Sequence, residues 1–164
     1  MSTGQMMLVL GAMALLSIVM LSSNRAYTTT GKTILYSELG ITAISLSTSM
    51  IQEAEEKSFD HNTFNTPVTS LASLTPVNSL GPESGEVYPD FDDFDDYNGL
   101  SLSQTYQNSG TFNIKCSVCY VDTSNPSVAS SSITWSKKLT VTVTSPSMLD
   151  TITGFYIYSY FYFR

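Results

Sequence analysis

The sequence predicts an α+β fold. A long N-terminal helical spine, apolar in its first half, packs by its second half against a C-terminal antiparallel β-meander. Three observations predict it. Residues 1–24 carry no charged side chain, and Met6 to Leu21 is apolar apart from Gly11 and Ser17. From Thr33 the apolar residues Leu35, Leu39, Ala43, Leu46, Met50 and Ala54 recur at intervals of 4, 4, 3, 4 and 4, one stripe of an amphipathic helix. After Asn98-Gly99 apolar and polar residues alternate with a period of two, as in half-buried strands.

The first element covers residues 1–32. Sixteen residues from Met6 to Leu21 rise about 24 Å as a helix, a little less than a hydrocarbon core. The uncharged flanks from Ser2 to Ser23 make the segment long enough to span. A secretory signal peptide would carry a basic stretch ahead of Met6, which this sequence lacks, although Ser22-Ser23-Asn24-Arg25-Ala26 leaves cleavage open. A helix apolar all round must be buried in lipid or in other protein. Ser22 to Gly31 (SSNRAYTTTG) is its weak link, because three β-branched threonines and a glycine lower helix propensity.

The second element is the amphipathic half-helix over residues 33–58. Ile34, Ile41, Ile44 and Ile51 flank the stripe and widen its apolar face. The run Gln52 to Lys57 consists of strong helix formers, and the pattern stops near Asp60-His61-Asn62. Residues 59–99 are rich in Pro, Ser, Thr, Asn and Gly and read as a long loop.

The third element is the sheet over residues 100–164, read as three or four antiparallel strands. Phe112, Ile114, Cys116, Val118 and Tyr120 share one face; Ile133, Trp135, Leu139, Val141 and Val143 share another, with Thr134, Thr140, Thr142 and Thr144 opposite. The C-terminal run places Phe155, Ile157, Phe161 and Phe163 on one side and Tyr156, Tyr158, Tyr160 and Tyr162 on the other. Turn signals fall at Asn108-Ser109-Gly110, Asn125-Pro126 and Ser145-Pro146. We expect the apolar faces, Trp135 included, to lie against the Leu39, Leu46 and Met50 side of the spine. A register error of one residue would bury Thr140 and Thr142 and expose Val141.

Composition narrows the function classes. A net charge of −7 opposes binding to a phosphate backbone, so no nucleic-acid partner is expected. Charged residues are 13% of the chain, while Ser (26) and Thr (20) together exceed a quarter, a surface or extracellular composition. Two cysteines and one histidine exclude a disulfide scaffold and a histidine-rich metal site. Cys116 and Cys119 lie three apart in a strand, so they point to opposite faces and read first as free or packed thiols, with a disulfide across a local bend or a metal or intermolecular link as the alternatives.

Glu83, Glu86, Asp90, Asp92, Asp93, Asp95 and Asp96 are seven of the fourteen acids, and no Lys or Arg lies between Lys57 and Lys115. The leading reading is a solvated acidic loop anchored by Phe91, Phe94 and Tyr97. The alternative is a Ca²⁺ site with ligands from Asp92, Asp93, Asp95 and Asp96. The EF-hand pattern fails, since setting Gly99 at its sixth position puts Phe94 first. No nucleophile with a base and no Gly-rich phosphate loop accompanies the acids, so we expect neither enzymatic activity nor an organic cofactor. The tyrosine ladder reads as half-buried or as a subunit contact, with adhesion as the weaker reading.

In layout the whole chain resembles the type IV pilins and type II secretion pseudopilins. Three places carry the resemblance. Met1 to Leu21 looks like a mature pilin N-terminus, with Gln5 where most pilins have Glu. Phe91 to Gly99 (FDDFDDYNG) is similar to an acidic segment of minor pilins of the mannose-sensitive haemagglutinin type. Lys137 to Ser145 (KKLTVTVTS) looks like a pilin strand that begins basic and then alternates Val and Thr. The resemblance implies a subunit that waits in the inner membrane and polymerises into an extracellular filament through Gln5, Met6, Leu8, Leu10, Gly11, Leu15 and Ile18. It also implies a helix that melts locally on assembly, here between Ser17 and Gly31. Met1 is expected to be the processed N-terminus, with cleavage after Gly4 as the alternative. Two other functions stay open at this point: a membrane-anchored binding module or adhesin that never polymerises, and a minor pilin that primes a filament.

Overall fold

Helix α1 spans Thr3–Glu55 in the computed structural model, which describes residues 2–64, 66–107 and 109–161. Met1, Asn108 of the expected turn, and Tyr162 and Phe163 of the expected aromatic alternation lie outside the described residues. The weak link from Ser22 to Gly31 is helical in the single chain. Threonine hydroxyls within it and just past it bond back one turn to backbone carbonyls. Thr28 donates to the Asn24 carbonyl at 2.9 Å, Thr29 to Arg25 at 2.9 Å and Thr33 to Thr29 at 3.1 Å. The break anticipated for the assembled state is therefore not a property of the isolated chain.

The chain divides into two units, Met1–Glu38 and Leu39–Arg164; the second is called the head below. In the head, α1 ends at Glu55, a few residues short of the expected stop, and the segment after it is more ordered than a plain loop. It holds 3₁₀ turns at His61–Thr63, Leu71–Ser73, Val77–Ser79 and Asp95–Tyr97. Asp60 caps the first of these by accepting from Asn62 N, and Ser70 caps the second through Ala72 N.

The sheet has five strands rather than three or four: β1 Ser101–Tyr106, β2 Gly110–Asp122, β3 Asn125–Ala129, β4 Ser136–Thr144 and β5 Ile152–Ser159. All pairings are antiparallel, in the order β1-β2-β4-β5 with β3 added to β2. Cys116 opposes Val141, and Leu139 opposes Tyr156. Phe112, Ile114, Cys116 and Val118 of β2 and Leu139, Val141 and Val143 of β4 bury against Leu39, Ala43, Met50 and Ala54 of α1, with Leu46 partly buried beside them. Thr140 and Thr142 are only half-buried, so the register is the expected one.

Two packing expectations are corrected. Ile34, Ile41 and Ile44 are exposed, and of the four flanking isoleucines only Ile51 packs on the core. The covered strip of α1 is a single row (Leu39, Ala43, Ser47, Met50, Ala54), and at 3.6 residues per turn Ile41 and Ile44 fall off it; β5 meets the helix through a glycine, Gly154. Trp135 joins a second cluster with Phe59, Val68, Leu74 and Tyr160. It precedes the first residue of β4, so the pleat does not hold it. Instead it stacks on Tyr160 with ring centroids 5.4 Å apart.

A Cβ on Gly154 would lie 2.4 Å from Ser47 Oγ and 3.1 Å from Ile51 Cδ1. Gly154→Ala is therefore expected to cost about 1–3 kcal/mol in urea unfolding, as an overpacked contact does. Ser47→Gly should recover part of that loss when combined with it. Strict additivity of the two changes would locate the cost elsewhere.

Candidate functional site

Two features distinguish the molecule: a bare apolar half-helix, and a buried carboxylate cluster in the head.

The half-helix presents every residue that the sequence reading assigned to assembly. Gln5, Met6, Leu8, Leu10, Gly11, Leu15 and Ile18 are all exposed, and Leu8 reaches 75%. Gln5 Oε1 accepts from the Ser2 backbone N at 3.1 Å, so its side chain caps its own helix. Gly4, Met7, Leu8, Gly11, Ala12 and Leu15 line a shallow groove, since neither glycine has a neighbour within 4 Å of an added Cβ. α1 is long and apolar enough to cross a membrane, and the most apolar window along it is bare of protein contacts.

The acidic segment departs from the solvated loop that was expected. Asp93, Asp95 and Asp96 are fully buried, and Asp60 joins them. The anchoring role of the aromatics does appear: Phe91, Phe94 and Tyr97 sit in the main core. Tyr97 donates to Glu53 Oε1 at 2.9 Å and Tyr88 to Glu53 Oε2 at 3.2 Å, which ties the segment to α1. Ser58 O accepts from Phe94 N at 2.8 Å and fixes it to the chain just past the helix.

The segment also has a base that its own sequence lacks. Lys137 enters from β4, fully buried, and its three N–H donors go to Phe59 O at 2.8 Å, Asp60 Oδ2 at 2.8 Å and Asp95 Oδ1 in a short contact. Its ammonium also lies 4.7 Å from the Phe59 ring centroid and 5.4 Å from that of Tyr120. Burial alone would raise the Asp60 pKa, but the Lys137 charge and the donors Thr75 N and Asn62 N outweigh it and lower it. Asp95 is raised despite the same lysine, because its burial is the larger effect and Asp60 repels it.

Of the four proposed ligands, Asp92, Asp93 and Asp96 converge, while Asp95 turns to Lys137. Glu83 and Glu86, members of the acidic run but not among the four expected ligands, complete the group together with His61, which the sequence did not single out. Overlapping triads Glu83–Asp93–Asp96, Glu86–Asp92–Asp96, His61–Asp92–Asp93 and His61–Glu83–Glu86 each bring their ligand atoms within 4.8 Å of one another. One oxygen of each central carboxylate organises the backbone. Asp93 Oδ1 accepts from Asp95 N at 2.7 Å and Asp96 N at 3.3 Å; Asp96 Oδ2 accepts from Asp92 N and Asp93 N, both at 3.1 Å. The other oxygens, Asp93 Oδ2 and Asp96 Oδ1, are buried with no hydrogen-bond partner, as are Glu83 Oε2 and Asp92 Oδ1.

The electrostatics follow. Burial, then Glu86, Asp93 and Asp96, push Glu83 up to about 7. Burial and Asp95 push Asp93 up to about 7 against the pull of Lys137. Burial, with repulsion from Asp93 and Glu86, pushes Asp96 up to about 6 despite its backbone donors. For His61 burial is the largest effect and lowers the pKa, but Glu83, Asp92, Asp93 and Glu86 together raise it.

The remaining sequence candidates resolve simply. Both cysteines are free; Cys116 is buried and its thiol is pushed up to about 12 by burial and by Glu53, while Cys119 is half-buried. A thiol reagent is expected to label Cys119 in the native protein and Cys116 only after unfolding, checked by mass spectrometry. The tyrosines face inward: Tyr156 and Tyr158 pack on the core and Tyr160 is buried, leaving Phe155 and Phe161 exposed. Their hydroxyls are used, with Tyr156 donating to Glu55 at 3.0 Å and Tyr160 accepting from Val68 N at 2.8 Å.

No protein-family model matches the chain, and neither curated proteins nor solved structures give a match.

Proposed function

We propose that the chain is a structural subunit of an extracellular filament of the type IV pilus kind, held in the inner membrane as a monomer and polymerised through α1, chiefly its apolar N-terminal half-helix. The observation that carries this reading is the bare apolar surface of that half-helix. In the membrane, lipid covers Met6 to Leu21. On assembly the helix leaves lipid for a bundle of identical helices, where van der Waals packing replaces lipid contacts. The groove at Gly4, Gly11 and Ala12 permits close approach of a second backbone.

A second observation favours polymerisation over simple anchoring. A span of about 20 residues that starts at Met6 ends near Arg25. Yet Tyr27, Ile34, Leu35, Ile41 and Ile44 lie beyond it and are exposed. A plain anchor gives these residues no cover, whereas neighbouring copies of the helix do. At Gln5 the chain departs from the pilin pattern. Its amide can only hydrogen-bond a neighbour's N-terminal amine, where a glutamate would neutralise it.

A membrane-anchored binding module is the second reading, and it rests on α1 being long and apolar enough to span a membrane by itself. Shearing cells that express the tagged chain and imaging the supernatant by electron microscopy tests the two. Long filaments containing this chain alone are expected. Recovery only as a monodisperse monomer in detergent would replace the filament with the anchor, and short mixed filaments would make the chain a minor subunit.

A further inference from the structure

We propose that Glu83, Asp93 and Asp96, with Asp92 and Glu86 beside them and His61 at the solvent rim, form a binding site for one Ca²⁺ ion that locks the acidic segment onto the head. This inference does not depend on whether the chain polymerises.

Geometry is the first support. Two oxygens bound to one Ca²⁺ at about 2.4 Å are at most about 4.8 Å apart. Each overlapping triad meets that limit, with ligand atoms within 4.8 Å of one another. The most buried triad, Glu83–Asp93–Asp96, offers oxygen alone.

Unsatisfied acceptors are the second support, and they are independent of the clustering. Asp93 and Asp96 are 0% exposed, and each spends one oxygen on backbone N–H groups while the other is buried without a donor. Glu83 Oε2 and Asp92 Oδ1 are single buried atoms without a donor, on side chains that are 36% and 37% exposed. A buried carboxylate oxygen without a donor is costly, and a cation bound by these clustered side chains would offset that cost. The side chains at hand do not supply one. Lys137 has committed its three N–H groups to Phe59, Asp60 and Asp95, and Lys57 donates to Phe91 O at 2.6 Å. Among the described residues no lysine or arginine pairs with Glu83, Glu86, Asp92, Asp93 or Asp96. His61 Nδ1 stands 3.9 Å from Glu83 Oε1 and 3.8 Å from Asp92 Oδ1, outside hydrogen-bond range and half exposed.

The donor set selects the ion. Zinc favours nitrogen and sulfur in a closed tetrahedron, and His61 is the one such donor in the group. Magnesium keeps its waters and demands strict octahedral geometry, which a crowd of carboxylates from separate loop positions does not favour. Calcium tolerates six to eight oxygens in flexible arrangements. Its effect would be structural, because the ligand segment is tied at Ser58 to the end of α1 and at Glu53 to the helix itself.

Thermal unfolding of the 164-residue chain in detergent micelles tests this, in CaCl₂, in MgCl₂ and in chelator at matched ionic strength. At about 100 times Kd, Ca²⁺ is expected to raise Tm by about 5–10 °C over chelator, with a smaller shift in Mg²⁺. Asp93→Asn/Asp96→Asn keeps the oxygens that accept from the backbone and removes two charges. It is expected to abolish the Ca²⁺ shift and to melt in chelator at or above the wild type. Glu83→Gln, at the edge of the core, is a second variant, expected to weaken Ca²⁺ binding at least about tenfold by isothermal titration calorimetry. Wild-type melts that agree within about 1 °C in about 5 mM Ca²⁺ and in chelator would overturn the proposal. So would an equal shift in Mg²⁺, or a full Ca²⁺ shift retained by either variant.

Discussion

Lys137→Met is expected to destabilise the head by about 3–5 kcal/mol, the range for removing one member of a buried ion cluster. The lysine is fully buried, and each of its donors meets an acceptor at Phe59, Asp60 or Asp95. Methionine fills most of the volume, so the loss is electrostatic rather than a cavity. It leaves two buried carboxylates facing each other near Asp93, which already carries an unpartnered oxygen. The triple change Lys137→Met/Asp60→Asn/Asp95→Asn is expected to recover most of the stability, because replacing every charge of a buried cluster is often close to neutral. Asn at 60 retains Oδ1 for the cap on Asn62 N. Urea unfolding of the three proteins reads the result. A loss under about 1 kcal/mol in Lys137→Met would mean that Asp60 and Asp95 find other partners.

This lysine also shows what was legible in the sequence. The alternation that turns Leu139, Val141 and Val143 inward also turns Lys137 inward, since it stands two residues ahead of Leu139. The pattern thus announced a buried lysine. What it could not announce was the partner, because the pairing joins positions 77 and 42 residues apart in the chain. The same limit explains the acidic segment. Composition marks the run as uncompensated, and read locally it looks solvated. Its aromatics Phe91, Phe94 and Tyr97 were the contrary signal, because anchoring them in the core carries the intervening aspartates inside. Glu83, Glu86 and His61 enter the cluster through the folding of residues 59–99, which has no periodic pattern to read. The helix–sheet register was legible from the two periodicities. The close contact of Gly154 with Ser47 was not, since it joins positions far apart in the chain that no local pattern marks.

Leu10→Asp is expected to abolish filaments while leaving the head folded. Leu10 lies within Met6 to Leu21 and is 61% exposed in the single chain, so nothing in the head depends on it. In lipid, one Asp at the centre of a span costs about 2.5–3.5 kcal/mol on insertion scales, which the remaining apolar residues offset. In a bundle the cost recurs at every subunit, and symmetry places like charges in equivalent positions around a dry core. Assembly should therefore fail before insertion does. Immunoblots of the membrane and sheared fractions, with a melt of the detergent-solubilised protein, separate the steps. Ile41→Asp sharpens the comparison. Ile41 is 68% exposed and lies beyond a span that starts at Met6, so its change should leave membrane insertion untouched. If copies pack along α1, Ile41→Asp should also reduce filament yield severalfold, although it contacts neither lipid nor the core of the head. Normal filament abundance in both variants would remove the self-assembly reading. Failure of Leu10→Asp alone, through loss of the protein from the membrane, would leave the exposed isoleucines without a role and favour the simple anchor.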